Sequence, residues 1–120
     1  MANVKEVIPR LLEIEGSLGV CVVDSNSGMT LGSGGGTSVD LEVAAAGNTE
    51  VVRAKRKTMK ALNLNDAIED ILITLGRQYH LIRPLRGRPA VFIYVAIERA
   101  RANLAMARMT LNDAEKNLQL

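Results

Sequence analysis

A glycine-rich run, Gly32-Ser33-Gly34-Gly35-Gly36-Thr37-Ser38, stands just before a helical pattern and has the outline of a phosphate cradle. Backbone N–H groups at a helix N-terminus do attract anions. A phosphate loop also needs a lysine directly before its Ser or Thr, and no lysine lies between Glu6 and Arg53. The run therefore reads as a flexible strand-to-helix turn. His80 is the only histidine, on an alternating segment with no adjacent cysteine or carboxylate cluster, and reads as structural rather than as a ligand or base. Asp66, Glu69 and Asp70 could suggest an acid pair, but on a strand Glu69 and Asp70 would point to opposite faces. Ser25, Ser27, Ser33 and Ser38 have no base to activate them. Cys21, flanked by Val20 and Val22, is a buried small hydrophobe, and as a lone cysteine it excludes an internal disulfide. These readings leave no catalytic residue, no metal set and no cofactor motif; the expectation is a non-enzyme.

The remaining chemistry is charge. Arg53, Arg56, Lys57 and Lys60 fall on one helical face at i, i+3, i+4 and i+7. Such a stripe can meet phosphates, dock a partner or stay solvated. A net charge of +2 with 2% aromatic residues gives little support to nucleic acid, which needs a wider basic footprint or stacking platforms. Arg83, Arg86 and Arg88, around a turn, read as hairpin solubilisers and edge guards.

What must position these residues is a meander from Ala67 to Ile97. Ala67 to Leu75, Gln78 to Leu85 and Ala90 to Ile97 read as strands, separated by turns at Gly76-Arg77 and Arg86-Gly87-Arg88-Pro89. Turns this short force antiparallel neighbours. Ala90 to Ile97 is apolar on both faces and belongs mid-sheet between helices, with Val20, Val22, Leu81, Val91, Ile93 and Val95 in the core. Upstream, Asn3 to Glu15 carries a helical stripe with Asn3 as N-cap, Gly16 as stop and Pro9 expected to kink it. Leu18 to Asp24 and Met29 to Ser33 form a hairpin across Ser25-Asn26-Ser27-Gly28, the second strand short and suited to an edge. A long helix follows from about Val39 to Ala61. Its apolar surface is split: Leu41, Ala44, Ala45, Val52, Met59 and Leu62 make one stripe, and Val39, Val43, Ala46, Val51 and Ala54 extend it sideways. A helix with one partner needs a narrower stripe. Glu98 to Leu118 reads as the last helix, its heptad-like spacing set along the sheet rather than in a coiled coil. The result is an α+β fold of three layers, in the order α-β-β-α-β-β-β-α.

At 120 residues the chain reads as one domain, 1–120, able to bury roughly two thirds of its unfolded surface. With 48% apolar residues it should fold, and no run approaches the ~20 apolar residues of a membrane span. The start MANVKEVIPR lacks a signal peptide's apolar centre, so a cytoplasmic, soluble protein is expected. The strand over Ala67 to Leu75 is apolar on both faces although chain order puts it at an edge. An uncovered edge of that kind invites pairing, so a second subunit is expected there.

The order of elements, with LGVCVVDSNSGMTLGS, AIEDILITLGRQYHLIRPL and PAVFIYVAIERARANLAMARMTLNDAEKNL, resembles the roadblock / dynein light-chain superfamily over nearly the whole chain. It departs from the family pattern at Pro9 and Gly34 to Gly36. The resemblance implies a profilin-like, five-stranded antiparallel sheet of order 2-1-5-4-3, with the first and last helices on one face and the middle helix on the other. It further implies a homodimer built by pairing third strands and middle helices, here through Val43, Gly47, Val51, Ala54, Ile68, Asp70, Leu72 and Ile73. Such dimers are non-enzymatic platforms for small Ras-like GTPases, as regulators, adaptors or scaffolds. On that reading Arg53, Arg56, Lys57 and Lys60 would meet the partner. A small-ligand sensor of profilin-like fold is the alternative, weakened by the shortage of convergent polar groups.

Overall fold

The structure, a computed structural model, describes residues 2–120. The elements are α1 (Val4–Leu12), β1 (Ser17–Asp24), β2 (Met29–Gly35), α2 (Leu41–Ala61), β3 (Ile71–Thr74), β4 (Gln78–Pro84), β5 (Val91–Glu98) and α3 (Leu104–Asn117). The strands form one antiparallel sheet in the order β2-β1-β5-β4-β3. Central β5 is apolar on both faces, and both are covered. Val91, Ile93, Val95 and Ile97 pack with Val7, Leu11, Leu81, Ala107 and Leu111 beneath α1 and α3. Phe92, Tyr94 and Ala96 pack with Cys21, Val23, Ala45, Val52 and Ile82 beneath α2. All six expected core residues are buried.

Local chemistry sets the helix starts. Asn3 and Glu6 form a reciprocal capping box at α1. The helix continues through Pro9, whose missing N–H costs one bond, because Val7, Ile8 and Leu11 lock it onto the sheet. The α2 N-terminus is capped by Asp40, whose carboxylate accepts from the N–H groups of Glu42 (3.1 Å) and Val43 (3.2 Å). The glycine run serves packing and turning. A Cβ on Gly34 would sit 2.6 Å from Ile8 and 2.8 Å from Leu12, so only glycine lets α1 lie this close to β2. Gly36 has φ +87°, which admits the turn toward α2. The Asp40 carboxylate thus occupies the helix end that a phosphate cradle would offer to its ligand.

Four elements differ from the sequence reading: α1 stops at Leu12 rather than Glu15, β2 runs on to Gly35 and takes in glycines read as a turn, and the third strand and last helix differ more. The third strand is four residues rather than nine: its pairing with β4 runs from Ile71↔Ile82 to Thr74↔Tyr79, and the backbone before Ile71 is not strand although β4 itself continues to Pro84. The last helix does not start at Glu98. Strand β5 runs to Glu98, a 3₁₀ turn spans Arg99–Arg101, and the helix begins only after Asn103, whose side chain accepts from the Met106 N–H at 3.1 Å. Along α3, Ala107, Leu111 and Ala114 are buried against the sheet, as the packing interpretation of the heptad spacing requires.

Candidate partner-docking surface

Both faces of the sheet are covered, but the helix that covers the second one, α2, leaves most of its own surface open. Of the 21 residues of α2, those buried are Ala45, Thr49 and Val52. The second half of the split surface points outward: Val43 is 67% exposed, Gly47 has open space around it, Val51 is half-buried and Ala54 is exposed. With steps of 4, 4 and 3 these four form a row along the helix. Leu62 is exposed too, so the first stripe ends before it. At the sheet edge Ile71, Leu72 and Ile73 are each half-buried, as is Ile68 just before the strand. On its outer side β3 pairs with no strand among the described residues.

The basic stripe divides into tied and free members. The Arg53 guanidinium donates to the carbonyls of Ser25 (2.7 Å) and Asn26 (3.1 Å), holding the β1–β2 turn against α2. Arg56 donates to the Pro89 carbonyl at 2.6 Å, fastening the β4–β5 turn in the same way. Lys57 and Lys60 are exposed and make no hydrogen bond or ion pair among the described residues. The sequence pattern shows four equivalent cations because it records spacing on one helix, not the loops folded against it.

Other residues sit where the sequence reading did not put them. Arg83 is no solubiliser: it is 3% exposed, on the α3 side of β4. It donates to Asn112 Oδ1 at 2.9 Å and Asp70 Oδ2 at 3.3 Å, and lies 3.9 Å from Glu69. Arg108 from α3 reaches the other Asp70 oxygen at 3.4 Å. Glu69 and Asp70 thus converge on one guanidinium rather than diverging, because the backbone there is not strand. Asp70 is committed inside its own chain, unlike the other residues assigned to a subunit interface. Nothing in the local sequence marks Arg83 as buried except its place between Ile82 and Pro84.

The titratable groups of the α2 face are structural. Burial pushes the Cys21 thiol up to about 12. Burial, with Cys21 opposite, raises the Tyr94 hydroxyl to about 12. His80 is held below its ordinary value by burial. Its Nε2–H donates to Gln78 Oε1 at 2.7 Å, which leaves Nδ1 to accept from the Tyr94 hydroxyl at 3.2 Å. Ser25 donates to the Ala90 carbonyl at 2.6 Å and is buried. No cluster of three or more His, Cys, Asp or Glu side chains suited to a metal occurs among the described residues.

No protein-family profile matches the chain, and no curated protein matches it in sequence. Solved structures do match. MglB from Myxococcus xanthus superposes with a TM-score of 0.80 at 20% identity, over 92% of this chain and 87% of that one. A Roadblock/LC7 domain from Streptomyces avermitilis gives 0.81 at 9% identity, over 96% and 93%. This chain has the roadblock fold. The gliding protein MglB from Thermus thermophilus gives 0.77 at 14% identity, over 93% and 82%. The roadblock arrangement, with its sheet order and helix placement, is the one the sequence resemblance implied. Among the described residues no helix is long and apolar enough to cross a membrane.

Proposed function

We propose that this chain is a non-enzymatic, homodimeric adaptor that binds a small Ras-like GTPase and modulates its nucleotide cycle or its location. The observation that carries this reading is the open surface of α2 in a roadblock fold, a 21-residue helix with three buried residues, together with an apolar edge strand whose outer side has no partner among the described residues. A second copy related by a two-fold axis would pair β3 with β3 and set the Val43, Gly47, Val51 and Ala54 rows alongside each other. A strand pair plus a helix pair is of the scale of a stable interface, about 1,600 Å². The small side chains of that row let two helices approach closely. The joined helices then offer Lys57 and Lys60 to a partner, while Arg53 and Arg56 hold the loops that frame them. The reading needs no catalytic group in this chain, because a platform acts by positioning the GTPase's own residues. A cytoplasmic setting goes with it.

The test is twofold. Light scattering should return a dimer at micromolar concentration, and a purified small Ras-like GTPase loaded with GDP or a GTP analogue should bind that dimer with a preference between nucleotides. A monomer, or a dimer to which no such GTPase binds in either state, overturns the proposal.

A further inference from the structure

Beside the C-terminal end of α2 lies a cleft of about 430 Å³ that no element of the fold closes. Its apolar lining comes from Met59 on α2, Leu64 and Ile68 on the segment leading to β3, and Leu85 at the β4–β5 turn. Leu85 is buried and forms the floor, whereas Leu64 is 51% exposed and stands at the mouth. Three cations, Arg56, Lys60 and Arg86, share this lining with one carboxylate, Asp66. Their charge is largely unspent within the chain. Arg56 uses one guanidinium nitrogen on the Pro89 carbonyl, Lys60 is unpaired among the described residues, and the exposed Arg86 shares its charge with Glu115 at 3.9 Å while its backbone N–H donates to the same carboxylate at 3.2 Å. An apolar recess with excess positive charge at its opening calls for a ligand of opposite design.

We propose that this cleft receives an apolar side chain carried by an acidic segment of a partner protein. The inference deepens the proposed function and rests on its assignment of a protein partner to the α2 side. A single Leu, Ile, Met or Phe buried there gains the anchor energy that dominates small interfaces, and acidic neighbours on the same segment meet the rim. The cations surround a recess rather than a protrusion, and Asp66 lies among them. Both features favour a projecting peptide side chain over a flat anionic bilayer.

The test uses the full chain, panned against a displayed library of random dodecapeptides. Enriched peptides are synthesised with a fluorescent label and titrated by anisotropy. Acidic peptides with one large apolar residue should emerge. Their affinity should fall about tenfold or more in Lys60→Glu/Arg86→Glu, and several-fold in Leu64→Ser. A Lys5→Glu/Arg10→Glu control on α1 changes the net charge equally and should bind as the wild type does. Arg86→Glu faces the nearly buried Glu115 and should lower the melting temperature, so Lys60→Glu alone, at an exposed position, serves as the second variant: it should keep the melting temperature and still weaken binding several-fold. Enrichment of neutral or basic peptides, no enrichment, equal binding to the reversed variant, or equal weakening in the α1 control overturns the proposal. So does binding of phosphatidylserine vesicles that is lost on reversal, or a change in the dimer's mass, which would hand the cleft to a bilayer or a second copy. A small GTPase that binds wild type and reversed variant alike removes the cleft and leaves the adaptor reading standing. Acidic peptides that bind the cleft when no GTPase binds the chain remove the adaptor reading and leave the cleft.

Discussion

The two faces of the sheet are built to different degrees of completion. Beneath α1 and α3, Val7, Leu11, Ile93, Val95, Ile97 and Leu111 are fully or almost fully buried, and even an arginine, Arg83, is sealed in with its partners. Beneath α2 the sheet supplies the bulk, in Phe92 and Tyr94, while the helix contributes Ala45, Thr49 and Val52 and turns Val43 outward. Side chains buried against the sheet report on folding; those on the open surface of α2 report on association. Substitutions should therefore separate cleanly by side.

The largest loss is expected at Arg83. Arg83→Ala leaves Asp70 to Arg108 alone, takes the donor from Asn112 Oδ1 and opens a cavity, and should cost about 3–5 kcal/mol in urea unfolding. Arg83→Met combined with Asp70→Asn, which removes both charges, should cost clearly less; equal costs would mean that packing, not charge, matters there. Ile93→Ala should follow at about 2–5 kcal/mol. An unchanged melting temperature would contradict its central place. On the other face Val52→Ala should cost about 1–2 kcal/mol, because fewer methylenes leave a smaller cavity.

The pH response should also belong to the α2 face. The folded-state values of Cys21 and Tyr94, both near 12, lie above their ordinary values of 9.0 and 10.0. Their contribution is therefore whole below about pH 9 and is lost as pH rises toward the folded-state values. The denaturation midpoint of Cys21→Ala should fall less steeply above about pH 9 than that of the wild type. His80 runs the other way: its lowered value favours the neutral ring, so its contribution is whole above about pH 6.5 and is lost on acidification. The smallest effect on stability is expected at Val43. Val43→Glu should leave the unfolding free energy of the subunit within about 0.5 kcal/mol, yet halve the mass seen by light scattering. A dimer that survives it would move the subunit contact off α2.

Much of this contrast is legible in residue order. The period of Gln78 to Leu85 fixes which side chains face α2, and the uninterrupted apolar run of β5 demands cover on both sides. The doubled stripe of α2 announces a second surface before any contact is known. What escapes the sequence depends on tertiary partners. Nothing local distinguishes Arg83, which meets Asn112 and Arg108's partner Asp70, from the exposed Arg86 three residues on. Nor does spacing reveal that Arg53 and Arg56 are spent on the carbonyls of Ser25, Asn26 and Pro89, leaving Lys57 and Lys60 without a partner among the described residues. The start of α3 is obscured by helix-forming residues at 98–102, which β5 and the 3₁₀ turn take instead.

Residues near the two ends of the chain are joined by a short parallel bridge. The Ala2 N–H donates to the Asn117 carbonyl, and the Gln119 N–H donates to the Ala2 carbonyl, each at 2.7 Å. Because residues 2 and 119 meet, the backbone between them comes close to a closed ring, and a ring can be opened elsewhere. A brief linker across residues 2 and 119, with new termini cut at the exposed Gly87 turn, gives a circular permutant that keeps every strand pairing. Such a rearrangement would place a dye or an affinity handle at the mouth of the basic cleft instead of beside α1 and α3.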